Sequence, residues 1–196
     1  AAGGGDFYYE DNDSYRKYFR PFAEKYHFKG AFAGMMHPWK TREEYWGYLA
    51  TFLHTTQTAP VRHSYLDLDA LLKGKDFFIL TTNQDTQFVK LYPEEKVAEI
   101  QGDHRFFQCA ACCTDDTWDA VKPVADMVAA MGDGTKIPTD LIPKCPTAAV
   151  RHSPGCEDMG ISSKERNTKN STKKFLAMYW NTKTAKFCSW SWALVE

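Results

Sequence analysis

The chain of 196 residues has no apolar run approaching the ~20 residues that a helix needs to cross a bilayer, so no membrane-spanning role is expected. It also has almost no net charge: 24 Lys and Arg stand against 25 Asp and Glu, leaving −1. Without a basic excess there is no electrostatic reason to expect nucleic acid or an anionic membrane as partner. No secretory signal is visible and the first residue is alanine, which leads to the expectation of a fragment or processed product in the cytoplasm. There is no internal repeat. Apolar material is plentiful, with 43% hydrophobic and 15% aromatic residues, which excludes disorder for the chain as a whole. The length suits one domain or one and a half.

The small net charge conceals a break. Residues 1–146 carry 16 Lys and Arg against 21 Asp and Glu, a net of −5, whereas residues 147–196 carry 8 against 4, a net of +4. Periodicity is readable in the first part. Lys17–Tyr26 places apolar pairs among charges at helical spacing, interrupted by Pro21. Glu43–Leu53 reads as an amphipathic helix with Thr41 as its N-cap, and Tyr65–Leu72 as another helix closed by Gly74. The continuous apolar run Asp76–Thr82 has the length and character of a buried parallel strand, and Lys96–Ile100 reads as a second, shorter one. Helix, strand, connection, strand is the order of an α/β sheet. Residues 162–174 have no apolar period, and Ser189-Trp-Ser-Trp192 follows without a matching strand.

Two groups of residues have chemical potential. The first strand runs into Thr81-Thr-Asn-Gln-Asp85, and ligands of open α/β sheets bind at the carboxyl ends of strands. The amide and carboxylate there suit ribose hydroxyls, although Asn and Asp are also common turn residues. The second strand runs into Gln101-Gly-Asp103 and then Cys109-Ala-Ala-Cys112-Cys113, with Cys145-Pro146 much later. Two thiolates at this spacing can hold half of a tetrahedral zinc site. The second pair is incomplete, so buried thiols remain the alternative.

Taken in order, Asp-Phe-Phe-Ile-Leu-Thr-Thr-Asn-Gln-Asp-Thr-Gln-Phe, Glu-Ile-Gln-Gly-Asp, Phe-Gln-Cys-x-x-Cys and Ile-Pro-Lys-Cys-Pro resemble the sirtuin family. The resemblance is to its macrodomain-linked branch, class M, and covers residues 1–146. Phe19–Phe28 and Glu44-Tyr-Trp-Gly-Tyr48 are similar to that branch as well. The resemblance implies an α/β fold: a partial Rossmann-like parallel sheet with a small zinc-ribbon module. It implies NAD and zinc as cofactors, and chemistry at the nicotinamide–ribose bond. Thr82, Asn83, Asp85 and Phe7 fall at cofactor-binding positions, Asn83 and Gln101 at catalytic ones, and Cys109, Cys112 and Cys145 at metal positions.

Gln101 stands where protein-deacylating sirtuins have their catalytic histidine. A primary amide takes no proton at neutral pH, so it can orient a group but cannot act as a general base. Class M sirtuins share this departure and are associated with ADP-ribosyl transfer. The resemblance therefore implies a protein acceptor, of the lipoylated-carrier type, and a macrodomain protein as partner. A protein deacylase and a non-catalytic remnant are the alternatives.

The family's first strand and its Gly-Ala-Gly phosphate turn have no counterpart here. Gly3-Gly-Gly5 has no strand before it and is not read as a phosphate loop. Re-reading the codons from the third base after about residue 146 permits a cysteine across Thr147–Ala148 and glycines across Ala148–Ala149 and Ala149–Val150. It also forces leucine at Phe187–Cys188 and glycine at Trp192–Ala193, which fits a frame slip; a natural tail of this protein is the alternative. The expected organisation is a partial NAD-binding domain over residues 1–104 that lacks its first strand, an incomplete zinc-binding and helical module over 105–146, and a poorly ordered tail over 147–196.

Overall fold

Asn12 starts the first helix, α1 (Asp13–Tyr26), by accepting the Tyr15 backbone N–H at 2.9 Å through Oδ1. In this computed structural model the described residues are 9–110, 116–147 and 159–162. Tyr15, Phe19, Phe22 and Ala23 are the buried residues of α1. They stand at offsets of four, seven and eight from Tyr15, which is one helical face. Pro21 does not end the helix. A proline within a helix has no N–H to donate, and its ring crowds the carbonyl four residues back. The chain kinks at Phe19 (φ −121°, ψ 17°) and resumes. At the far end His27 adopts the left-handed conformation (φ 58°) and gives its N–H to the Ala23 carbonyl at 3.0 Å.

A short helix α2 (Ala31–Met35) leads to α3 (Arg42–Thr58), which Thr41 caps as the sequence predicts, its hydroxyl accepting the Glu44 N–H at 3.2 Å. The amphipathic stripe expected of this helix is not what forms. Trp46 through Leu53 are all buried, so α3 is surrounded on nearly every side. Threonine makes this possible. Thr51 and Thr55 donate to the carbonyls four residues back at 3.0 and 2.8 Å, and Thr56 donates to Leu53 at 2.9 Å. Their hydroxyls are thus buried without being orphaned.

The next helix, α4 (His63–Leu72), ends before Gly74, whose φ of 75° suits glycine. Strand β1 (Ile79–Thr81) pairs in parallel with β2 (Val97–Glu99), in the register Ile79↔Val97 and Thr81↔Glu99. Helix α5 (Gln87–Leu91) and a 3₁₀ turn at Glu94–Lys96 lie in the crossover between them. The run Asp76–Thr82 yields only three strand residues because β2 offers only three partners after that turn. It is also not buried on both faces, since Leu80 is 37% exposed.

A three-stranded sheet follows, in the order β4–β3–β5. Strand β3 (Asp103–Cys109) runs antiparallel to β4 (Thr117–Asp119), pairing Phe107 with Trp118, and β5 (Met159–Ser162) takes its other side. Helix α6 (Val121–Met131) packs against α3. Met159 is buried in the core, so a strand forms inside the segment expected to stay unpacked. Residues 148–158 and 163–196 of that segment lie outside the described residues.

The described residues group into two compact units. One joins those of Ala1–Ala59 and His104–Ile161, and the other holds those of Pro60–Asp103 and Ser162–Glu196. The helices α1 to α3 thus group with the segment after residue 103 rather than with the parallel strands. A shared aromatic core explains it. Trp46 of α3 meets Phe107 of β3 edge to face at 5.5 Å, and Tyr48 gathers Phe22, Phe28 and Trp39 within 5.8 Å.

Gly47 lets α3 approach the backbone beyond α6. A Cβ there would lie 2.6 Å from the Thr135 carbonyl oxygen and 3.1 Å from the Met131 sulfur, and Ile137 N–H bonds the Glu43 carbonyl at 3.3 Å beside it. Alanine normally stabilises a helix interior over glycine by about 0.5–1 kcal/mol. Here Gly47→Ala is expected to destabilise instead, by about 1–3 kcal/mol as for other overpacked sites. Urea unfolding of the two chains checks the sign; a gain in stability would show that the crossing segment can retreat.

Candidate functional site

The parallel register brings the two loops of interest to one edge of the sheet. Thr81 ends β1 and is paired with Glu99, which ends β2, and the Ile100 N–H still reaches the Thr81 carbonyl at 3.0 Å. Beyond this point the chain leaves as 82–86 from one strand and 100–102 from the other. The Gln84 side-chain amide donates to the Gln101 carbonyl, tying the loops together. Of the residues singled out in the sequence, Thr82, Asn83, Asp85 and Gln101 are thus assembled at the carboxyl ends of β1 and β2. Phe7 and Cys112 lie outside the described residues.

The first loop is built from the backbone outward. Thr81 Oγ1 accepts the Asn83 N–H at 3.0 Å, a hydroxyl-closed turn. Asn83 Nδ2 donates to the Tyr65 hydroxyl at 2.8 Å, and that hydroxyl donates to Asp85 Oδ2 at 2.6 Å. Asp85 Oδ1 accepts the Gln87 N–H at 3.2 Å, and Gln87 Oε1 accepts the Arg62 N–H at 3.0 Å. Thr86, between Asp85 and Gln87, is buried in the left-handed region at φ 62°. A β-branched residue there is strained.

Tyr65 has no place among the residues selected from the sequence. It begins the apolar face of α4 and packs edge to face on Phe88 at 4.7 Å, so it looks like an ordinary core residue. The available signal is its type: a buried phenol needs a polar partner, and an Asn-x-Asp loop follows the next strand.

Burial pushes the Asp85 carboxyl above its ordinary 3.8, against the opposing pull of the Tyr65 hydroxyl, the Gln87 N–H and the Arg62 and Lys90 charges. Gln101 is exposed at the turn after β2, so its side chain faces solvent rather than the core. The amide is available to orient a group but has no basicity to offer.

Cys109 ends β3 and Cys145 follows the short 3₁₀ turn Thr139–Leu141; both thiols are buried. Among the described residues, no group of three or more His, Cys, Asp or Glu side chains is placed to hold a metal ion. The zinc ribbon therefore has no support from the described residues. Among the same residues, no helix is long and apolar enough to cross a membrane.

No family model matches the chain. Over 130 residues, 65% of its length, it is 35% identical to a Staphylococcus aureus (strain Mu50 / ATCC 700699) protein named "Protein ADP-ribosyltransferase", covering 41% of that protein. Over 94 residues, 46% of its length, it is 33% identical to a "Probable bifunctional ADP-ribose hydrolase/ADP-ribosyltransferase" of Fusarium oxysporum f. sp. cubense, covering 15% of it. Both names specify ADP-ribosyl transfer. The chain spans less than half the length of either relative.

The Asp85 carboxyl, followed by carbon-13 NMR, is expected to titrate with a midpoint above 3.8. A folded-state value above the unfolded one means that its stability contribution is fully present below pH 3.8 and lost as pH rises through the folded midpoint. A midpoint at or below 3.8 would show that hydrogen bonding outweighs burial at this carboxyl.

Proposed function

We propose that this chain carries the ribose-binding part of a sirtuin-type ADP-ribosyltransferase that uses NAD and modifies a protein. The observation that carries the proposal is the joining of the Asn83–Asp85 loop to the Gln101 turn at the carboxyl edge of a parallel strand pair. Similarity to two relatives named for ADP-ribosyl transfer supports it. The acceptor set fits a nucleoside: an amide carbonyl and a carboxylate suit sugar hydroxyls and a carboxamide NH₂, and neither suits a phosphate.

When bound, NAD would supply a glycosidic bond to nicotinamide that an acceptor could displace at C1′, nicotinamide leaving with the bonding pair and the acceptor giving up one proton. Asn83 holds ribose hydroxyls, with Thr82 beside it in the same loop, and Asp85 faces the nicotinamide side. Gln101 orients the acceptor. It cannot take the acceptor's proton, which goes to solvent or to a base elsewhere. This lack of basicity favours transfer over deacylation, where a histidine would serve. A lipoylated carrier protein as acceptor and a macrodomain protein as partner belong to the same proposal and rest on the sequence resemblance alone.

Calorimetric titration with NAD and assay of nicotinamide release test it. Asn83→Ala is expected to lower release by about 10²-fold, the scale of losing one positioned donor or acceptor. Unchanged release would remove Asn83 from the site, and no NAD binding by the parent chain would leave a non-catalytic remnant. The zinc module is part of the proposal through Cys109, Cys112 and Cys145. Metal analysis is expected to find about one zinc per chain, lost in Cys109→Ser; a metal-free, folded parent chain would assign these thiols to the core.

A further inference from the structure

We propose that Tyr65 is a positioning residue that turns the Asn83 carbonyl toward the ligand, making this loop a reader of hydroxyl donors such as a ribose diol. The inference rests on the proposed NAD chemistry and deepens it.

The direction of each hydrogen bond follows from counting protons. A phenol has one hydrogen to donate and a carboxylate has none. The Tyr65–Asp85 separation of 2.6 Å is that of an O–H donor on a carboxylate, so the phenolic proton lies on the Asp85 side. Toward Asn83, the Tyr65 oxygen then has only lone pairs to offer. At 2.8 Å the group facing it must be the amide NH₂. The Asn83 backbone N–H is already given to Thr81 Oγ1. With the NH₂ turned inward, Asn83 Oδ1 points away from Tyr65, and no described residue donates to it.

An asparagine on a loop ordinarily flips between two nearly equivalent amide orientations. One phenol removes that choice here, because the flipped amide would set a carbonyl against an oxygen with no proton left to share. Phe88 holds the phenol ring in turn, edge to face at 4.7 Å. The charged or titratable groups bearing on Asp85 are Tyr65 from α4, Arg62 just before it and Lys90 from α5. Among these, only Tyr65 is placed by a hydrogen bond to touch both Asp85 and Asn83.

The full chain and its Tyr65→Phe variant provide the test. Phenylalanine keeps the ring against Phe88 and removes only the hydroxyl. In the parent protein, the Asn83 side-chain NH₂ is expected to give two sharp proton resonances that exchange slowly with solvent; in Tyr65→Phe they should broaden. NAD affinity should fall about tenfold, the scale of one lost hydrogen bond, and the Asp85 carboxyl should titrate at higher pH. A variant that binds NAD as the parent does, with the Asp85 midpoint unmoved, would overturn the role of Tyr65 while leaving the proposed function standing. A parent chain that binds no NAD would overturn both. If Tyr65→Phe does not fold, the parent spectrum alone decides: rapidly exchanging, averaged Asn83 amide protons would refute the fixed orientation.

Discussion

Because β1 and β2 run parallel, both strands release their chains at the same edge of the sheet, and what assembles there depends on that direction. An antiparallel partner would have sent residues 82–86 and 100–102 to opposite ends. Parallel pairing requires a crossover, and α5 with its following 3₁₀ turn is that crossover. The crossover also contributes to the loop it leaves, since Gln87 at the start of α5 gives its N–H to Asp85 and takes one from Arg62. The connection that brings the two strands side by side therefore also orients the carboxylate between them.

The other unit solves a different problem, which is how to bury a helix on almost all sides. The hydroxyls of Thr51, Thr55 and Thr56 are bonded within the helix, the Gln57 amide donates to the His104 carbonyl at 2.8 Å, and Glu44 is paired in charge. Glu44 lies against Lys25 at 3.2 Å and Lys136 at 3.5 Å. Burial works against its charge, but the nearby Tyr26 hydroxyl and the two ammonium groups outweigh that effect and hold the carboxyl below its ordinary 4.5. His104, buried on β3, meets Thr56 Oγ1 through Nδ1 at 3.1 Å. That hydroxyl already donates to Leu53, so the imidazole carries its proton at Nδ1.

Much of this architecture was legible from residue patterns. Thr41 as a cap, Gly74 after a helix and the parallel order of the two strands are local signals and are found where their chemistry pointed, though the first strand is shorter and less buried than its apolar run suggests. Pro21 shows the limit of a local rule: Phe19 and Phe22 on either side of it are both buried, and their packing keeps the helix going through the kink. The burial of α3 on nearly every side was hidden because threonine counts as polar in a periodicity, although its hydroxyl bonds back to its own helix. Tyr65 was hidden for the opposite reason. Its ring is a core residue and its hydroxyl is a site residue, and one letter in a sequence does not separate the two. The grouping of α1 to α3 with β3 and α6 depends on contacts between residues far apart in the chain, which periodicity does not register.

Any ligand that settles on the Asn83–Asp85 loop meets a backbone strained in advance at Thr86. A β-branched residue held at positive φ costs about 1–3 kcal/mol, and that cost is met during folding, before a ligand arrives. With the backbone on both sides already bonded to Thr81 and Asp85, little conformational freedom is left for binding to remove. Association here would draw on a rigid, prearranged surface with a small ordering entropy. Replacing Thr86 with glycine would relax the strain and hand part of that entropy cost back to the binding step.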